Sequence, residues 1–226
     1  MTTAKSANKF RLPDPPEHPE EQMTNFDHIA LNGAAYLLSR HLGNPATTLI
    51  AGERFLVVRP TRGMAGSIYP DLLIAFDVDP VSYKENNGYI IDEQGKPPEF
   101  VMEIASRRTG RQDIAGKRNG YAALGIPEYW RFDETGEFHG TLLAGDRLAA
   151  DGQYQPIPIE EVAEGVLQGF SQVLNLHIRW ENGQLRWHDP ETGRHIANLE
   201  DERQARLLAE ARVRELEAKL ESLESR

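Results

Sequence analysis

Cysteine is absent from all 226 residues, which excludes disulfides, thiolate zinc sites and cysteine nucleophiles. Any metal must then be held by carboxylates, imidazoles or carbonyls, donors that suit a hard cation such as magnesium or manganese. Also missing is an apolar run of the roughly eighteen residues that a spanning helix requires, and the opening MTTAKSANKFRLPDPPEHPEEQ lacks the hydrophobic centre of a signal peptide. The expected location is therefore the cytoplasm, with no membrane partner. Positive charge is scarce as well, with 25 Lys and Arg against 35 Asp and Glu and a net charge of −10. Proteins that coat nucleic acid by bulk attraction carry clustered basic residues, so any such contact here must be local. Arg107, Arg108, Arg111, Lys117 and Arg118 offer one local cluster, which reads equally well as a solvated helix entry.

A chain of this length with 39% hydrophobic residues can build one ordinary core plus tails. Residues 12 to 22 hold four prolines and four acidic residues with almost nothing apolar, so residues 1–24 are expected to form a flexible arm. A first helix is expected from Asn25 or Asp27, where Ile29, Ala30, Ala34, Leu37, Leu38 and Leu42 recur at helical spacing before Gly43. Runs rich in β-branched and aromatic residues then predict strands at Arg54 to Arg59, Asp71 to Phe76, Phe100 to Ala105 and Tyr129 to Phe132. Between the last two, GRQDIAGKRNGYAALGIP predicts a helix that stops at Gly125 and Pro127. The runs LLIAF and VMEIA are apolar on both faces, as central strands covered on each side are. The expected fold is α/β, a mixed central sheet flanked by helices, with one crossover helix. Further strands are expected over residues 138 to 198, including a hairpin turning at Asn182-Gly183.

From Glu200 the chain is charged and helix-forming, with Ala209, Val213, Leu216, Leu220 and Leu223 spaced four, three, four and three. Such a stripe either packs back on its own domain or pairs two chains as a short coiled coil. The expected organisation is an arm at 1–24, one domain at 25–198 and a C-terminal helix at 199–226 that makes a homodimer.

The chemistry centres on two acids. Asp71 opens PDLLIAF, and Glu103 sits inside FVMEIAS among apolar neighbours. On adjacent strands they would lie about 5 Å apart and repel by about 3 kcal/mol at an effective dielectric near 20. Protonation, a protein cation or a divalent metal must compensate; singly, an acid at a strand start or edge is more often a solvated or salt-bridged residue, and the pairing carries more weight than either. A metal clamp would activate water and polarise a phosphate, and Ile104 is placed to add its carbonyl as a ligand. On the next helix Asp113, Lys117 and Tyr121 are four apart and share a face. Lys117 could serve a water nucleophile or a phosphate oxygen, or it could simply pair with Asp113. Glu53, His28 and Ser106 are weaker candidates, read first as surface, packing and capping residues.

The series YPDLLIAF, PPEFVMEIAS and DIAGKRNGYAALGIPEYWRFD resembles the Uma-two family of restriction-endonuclease-like proteins, a branch of the PD-(D/E)xK nuclease fold, over about Asn25 to Asn198. The resemblance implies that Asp71 and Glu103 are metal ligands. It departs from the wider class where a lysine usually follows the second acid by two positions, since Ala105 stands there; the family's helix lysine corresponds to Lys117. Arg107 replaces a frequent proline. The implied activity is magnesium- or manganese-dependent hydrolysis of nucleic acid, DNA above all. Asp71, Glu103, Lys117, Tyr121 and Asp113 would form the catalytic set, Asp71, Glu103 and Ile104 the metal set, and Arg107, Arg108, Arg111 and Arg118 would contact nucleic acid. The alternative is a non-catalytic binding or assembly module of the same fold, dimerised by its C-terminal helix.

Overall fold

The computed structural model describes residues 11–14, 34–60, 64, 66–105, 113–196 and 199–224. In chain order the elements are α1 (Ala34–Leu42), β1 (Leu49–Ala51), β2 (Phe55–Val57), β3 (Leu72–Ala75), α2 (Pro80–Asn86), β4 (Gly88–Ile90), α3 (Ile91–Gln94) and β5 (Phe100–Ile104). After these come α4 (Asp113–Ala123), β6 (Glu128–Phe132), β7 (Leu143–Leu148), β8 (Tyr154–Ile157), β9 (Ile159–Ala163), β10 (Val166–Ser171), β11 (Leu176–Glu181), β12 (Gln184–His188) and α5 (Leu199–Glu224).

Six strands form the central sheet in the order β1-β3-β5-β6-β7-β8. It is mixed: β5 and β6 run parallel, while every other neighbouring pair is antiparallel. The parallel pair requires a crossover, and α4 supplies it, as the helix expected between the strands at Phe100 and Tyr129 predicts. The first helix is described only from Ala34, and the earlier part expected from Asn25 lies outside the described residues. The expected strand at Arg54 to Arg59 does not join the central sheet. Its core, β2, pairs with β4 in a separate parallel ribbon.

Strand periodicity divides the side chains of this sheet between two layers. Leu72, Ile74, Phe100, Met102, Ile104, Trp130 and Phe132 form one cluster with Leu174, Leu176, Ile178, Leu185 and Trp187, so β9–β12 cover that face. Leu73, Ala75, Val101 and Tyr129 point the other way and pack with Tyr121 of α4 and with Tyr83 and Tyr89. The alternation along β5 therefore sends Glu103 to the α4 face. The β11–β12 hairpin turns at Asn182 and Gly183, both with positive φ as a tight primed turn requires.

The two sheets are tied by an acid. Glu128 is fully buried in β6; its Oε2 accepts from Trp130 Nε1 at 3.0 Å and Ser171 Oγ at 2.6 Å. Its Oε1 accepts from Arg147 Nη2 at 3.1 Å and the Gln172 amide at 2.9 Å. Leu12 is buried, its amide donates to the Asn86 carbonyl at 2.9 Å, and Asn87 Nδ2 donates to the Pro13 carbonyl at 3.0 Å. A short piece of the proline-rich stretch thus lies against α2 and β4.

Candidate active site

Pairing of β3 with β5 sets Leu72 opposite Met102 and Leu73 opposite Val101. One step further along the same antiparallel register, Asp71 stands opposite Glu103. Cross-strand neighbours of this kind share a face, with Cβ atoms about 5 Å apart. Asp71 Oδ2 accepts the Ile104 amide at 2.7 Å, a bond that continues the link between the strands where the regular ladder ends.

Gly52 makes this corner possible. A Cβ there would sit 2.0 Å from the Asp71 carbonyl oxygen, so only glycine lets the β1–β2 turn approach so closely. The Glu53 amide, at φ +54°, donates to the Pro70 carbonyl at 3.1 Å and draws the turn onto the residue before Asp71.

From above, α4 lowers two side chains onto Glu103. Lys117 Nζ donates to Oε2 at 2.9 Å, and the Tyr121 hydroxyl donates to Oε1 at 2.5 Å. Spacing of four residues on a helix puts both on the face toward the sheet. Glu103 is only 3% exposed, and its carboxyl is pushed up to about 8. Burial is the largest cause and the Asp71 charge the next, with Lys117 and the Tyr121 hydroxyl opposing them. Tyr121 is held well above its ordinary value, by burial first and then by the Glu103 charge. The Lys117 side chain keeps 22% of its surface exposed, so the amine lies between the buried acid and solvent.

Of the residues that the sequence singles out, the structure brings Asp71, Glu103, Lys117 and Tyr121 together. The Ile104 side chain belongs to the core on the opposite face, and its backbone amide is the group that meets Asp71. Asp113 begins α4, but its side chain lies outside the described residues, as do Ser106, Arg107, Arg108, Arg111 and His28. Arg118 turns to the sheet: its Nη2 donates to Asp146 Oδ1 at 2.9 Å and to the Tyr154 carbonyl at 2.7 Å. Asp146 also accepts from Arg131 Nη2 at 2.9 Å, so two guanidiniums share one buried carboxylate beside the site.

Sequence reasoning missed Gly52 and Tyr69. Tyr69 precedes the Pro70-Asp71 corner, and its hydroxyl is raised by burial and then by the Glu53 charge, which places Glu53 near the same corner. A single glycine or tyrosine in a turn carries no periodic signal, and only the register shows what it faces. Among the described residues no cluster of three or more acidic or histidine side chains is arranged to hold a metal. Asp71 and Glu103 are the two that converge, and both offer oxygen.

The model of the Uma2 family, described as "Putative restriction endonuclease", matches residues 34–200. The chain belongs to this family. The match runs from α1 to the start of α5 and contains every element of the site. Among solved structures, the chain is similar to a "putative nuclease belonging to DUF820" from Anabaena variabilis ATCC 29413, at 13% identity and a TM-score of 0.40, over 66% of this chain and 76% of that one. No curated protein matches the chain. No helix among the described residues is long and apolar enough to cross a membrane.

Proposed function

We propose that this member of the family hydrolyses phosphodiester bonds in nucleic acid, DNA above all, as a homodimer that requires magnesium or manganese. The observation that carries the reading is the meeting of Asp71 and Glu103 across one register step, with the Lys117 amine on the second acid. Two carboxylates and no thiolate fit a hard divalent cation, which keeps several waters and takes few protein ligands. Asp71 and Glu103 would hold it, with the Ile104 carbonyl as a third donor. When bound, such an ion polarises the scissile phosphate and lowers the pKa of a coordinated water.

The chain's own groups do the rest. Lys117 keeps part of its side chain exposed beside Glu103, and its Nζ would donate to a nonbridging phosphate oxygen or orient the attacking water. Tyr121 fixes the rotamer of Glu103 through Oε1, and the buried walls of Val101 and Tyr129 keep the acid out of bulk water. Asp113, four residues before Lys117 in the sequence, would support the amine. Arg107, Arg108 and Arg111, which precede that helix in the sequence, would take the phosphates flanking the scissile bond together with Arg118, whose guanidinium also pairs with Asp146.

The test is cleavage of plasmid, linear and single-stranded substrates by purified protein with magnesium or manganese. Activity that survives in both Asp71→Ala and Glu103→Ala rejects the site.

A further inference from the structure

The C-terminal helix carries a pattern that the active site does not use. Every described side chain from Arg206 to Glu217 is exposed, including Val213 at 52% and Leu216 at 46%. The apolar stripe therefore does not fold back onto its own domain there. An apolar stripe left in water along a mostly charged helix is unfavourable, and a partner that covers it stabilises the helix.

We propose that α5 pairs with the same helix of a second copy as a parallel, in-register, two-stranded coiled coil. The spacing assigns Val213 and Leu220 to heptad position a, and Ala209, Leu216 and Leu223 to d. With that register fixed, the flanking positions are no longer a free choice. Position e is Glu210, Glu217 and Glu224; position g is basic at Arg212 and Lys219. In a parallel pair each g residue faces the e residue of the next heptad on the other helix. Arg212 then meets Glu217 of the second copy, and Lys219 meets Glu224, on both sides of the seam. Reversing one helix would set g against g and e against e, which is base against base and acid against acid. The charge pattern thus selects one orientation, and valine at a with leucine at d favours two strands.

Glu215, at position c, accepts from Arg212 at 2.7 Å and from Lys219 at 2.6 Å within the helix. Exposed pairs of this type are worth only a few tenths of a kcal/mol, so both cations can be drawn to the second copy. Arg206 falls at position a and would oppose its own copy, which ends the seam at Ala209. Leu207 and Leu208 fall at b and c, outside it. A seam from Ala209 to Leu223 is short, so the pairing depends on concentration. A parallel coil delivers both domains at one end. That gives two copies of the Asp71–Glu103 site a common substrate, a consequence that rests on the proposed nuclease reading; the coil itself does not.

The experiment uses the full chain, which has no native cysteine. Mass is followed by sedimentation over a range of concentrations for the unchanged protein, Leu216→Glu, and the double variant Arg212→Glu with Lys219→Glu. The unchanged protein should dimerise, Leu216→Glu should stay monomeric, and the double variant should bind itself about tenfold or more weaker. It should regain affinity when mixed with a Glu210→Lys, Glu217→Lys, Glu224→Lys chain. Leu223→Cys should form an interchain disulfide on mild oxidation, while Ala218→Cys, at the outer position f, should not. A monomer at every concentration, or a dimer indifferent to Leu216→Glu, overturns the pairing. A dimer that Leu216→Glu abolishes but reversal of the g charges leaves intact, without the Leu223→Cys crosslink, overturns the parallel arrangement. Cleavage is assayed on the same samples: a dimer that cuts nothing contradicts the nuclease reading and supports the coil, whereas cutting at full rate by the Leu216→Glu monomer contradicts the need for two domains.

Discussion

Lys117 reaches Glu103 from fourteen residues away and donates to its Oε2 at 2.9 Å, joining the crossover helix to the strand it follows. In the wider nuclease class a lysine two residues after the second acid occupies the strand itself. Here Ala105 fills that position, and the amine arrives from α4 instead. If the ammonium does the work assigned to it, Lys117→Met lowers the rate of cleavage by about 10²- to 10⁴-fold with the fold retained, while Lys117→Arg keeps a charge but not a compact ammonium and recovers only part. Initial rates beside a thermal melt separate loss of chemistry from loss of fold.

Burial and the Asp71 charge raise the Glu103 carboxyl from 4.5 to about 8. A folded value above the unfolded one means that the folded state prefers the protonated acid. Its contribution to stability is complete below about pH 4.5 and is lost as pH rises through about 8. Metal-free protein should therefore melt at progressively lower temperature across that window, and Glu103→Gln should flatten the decline. Melting curves of both proteins in the presence of chelator check this; parallel curves for the two would show that Glu103 is not the group responsible.

Glu128 is fully buried and accepts from groups on both sheets, so removing its carboxylate leaves the Trp130 indole N–H and the Ser171 hydroxyl without their acceptor. Each buried donor left without a partner costs about 1–3 kcal/mol. The unfolding free energy of Glu128→Ala, read from denaturant melts, should fall by about 2–4 kcal/mol, and metal affinity at Asp71 should be unchanged in whatever fraction remains folded.

Gly52→Ala tests the corner behind Asp71. Its Cβ would fall 2.0 Å from a backbone oxygen, an atom that cannot swing aside as a flexible side chain does. The turn must shift, at a cost of about 1–3 kcal/mol, and Asp71 must shift with it. Activity should fall further than stability alone explains, read as kcat loss at a temperature where the variant is fully folded.

Much of this was legible in the residues. The acid inside VMEIA, the four-residue spacing of Lys117 and Tyr121, the stop at Gly125 and the turn at Asn182-Gly183 are local signals, and local periodicity decides them. What the sequence could not carry was partnership over distance. That β2 leaves the central sheet for β4 depends on which edges remain unpaired after the core forms, and no property of Phe55–Val57 announces it. Glu128 reads as one more glutamate in GIPEYW until β10 and the residues after it bring Ser171 and Gln172 to its oxygens. The Arg118 guanidinium lies on Asp146, twenty-eight residues away, a pairing that its basic neighbours in sequence do not announce. The Asp79-Pro80 start of α2 is by contrast a local signal: Asp79 Oδ1 accepts the Val81 amide at 2.8 Å, as an N-cap does.

The most direct measurement of the central claim is calorimetric titration of manganese into the unchanged protein, Asp71→Ala and Glu103→Ala, each first shown to be folded. The account predicts one site per chain in the unchanged protein, with binding lost in both variants and proton release on binding. Equal affinity in all three proteins, or no binding to the unchanged chain at millimolar metal, would contradict it.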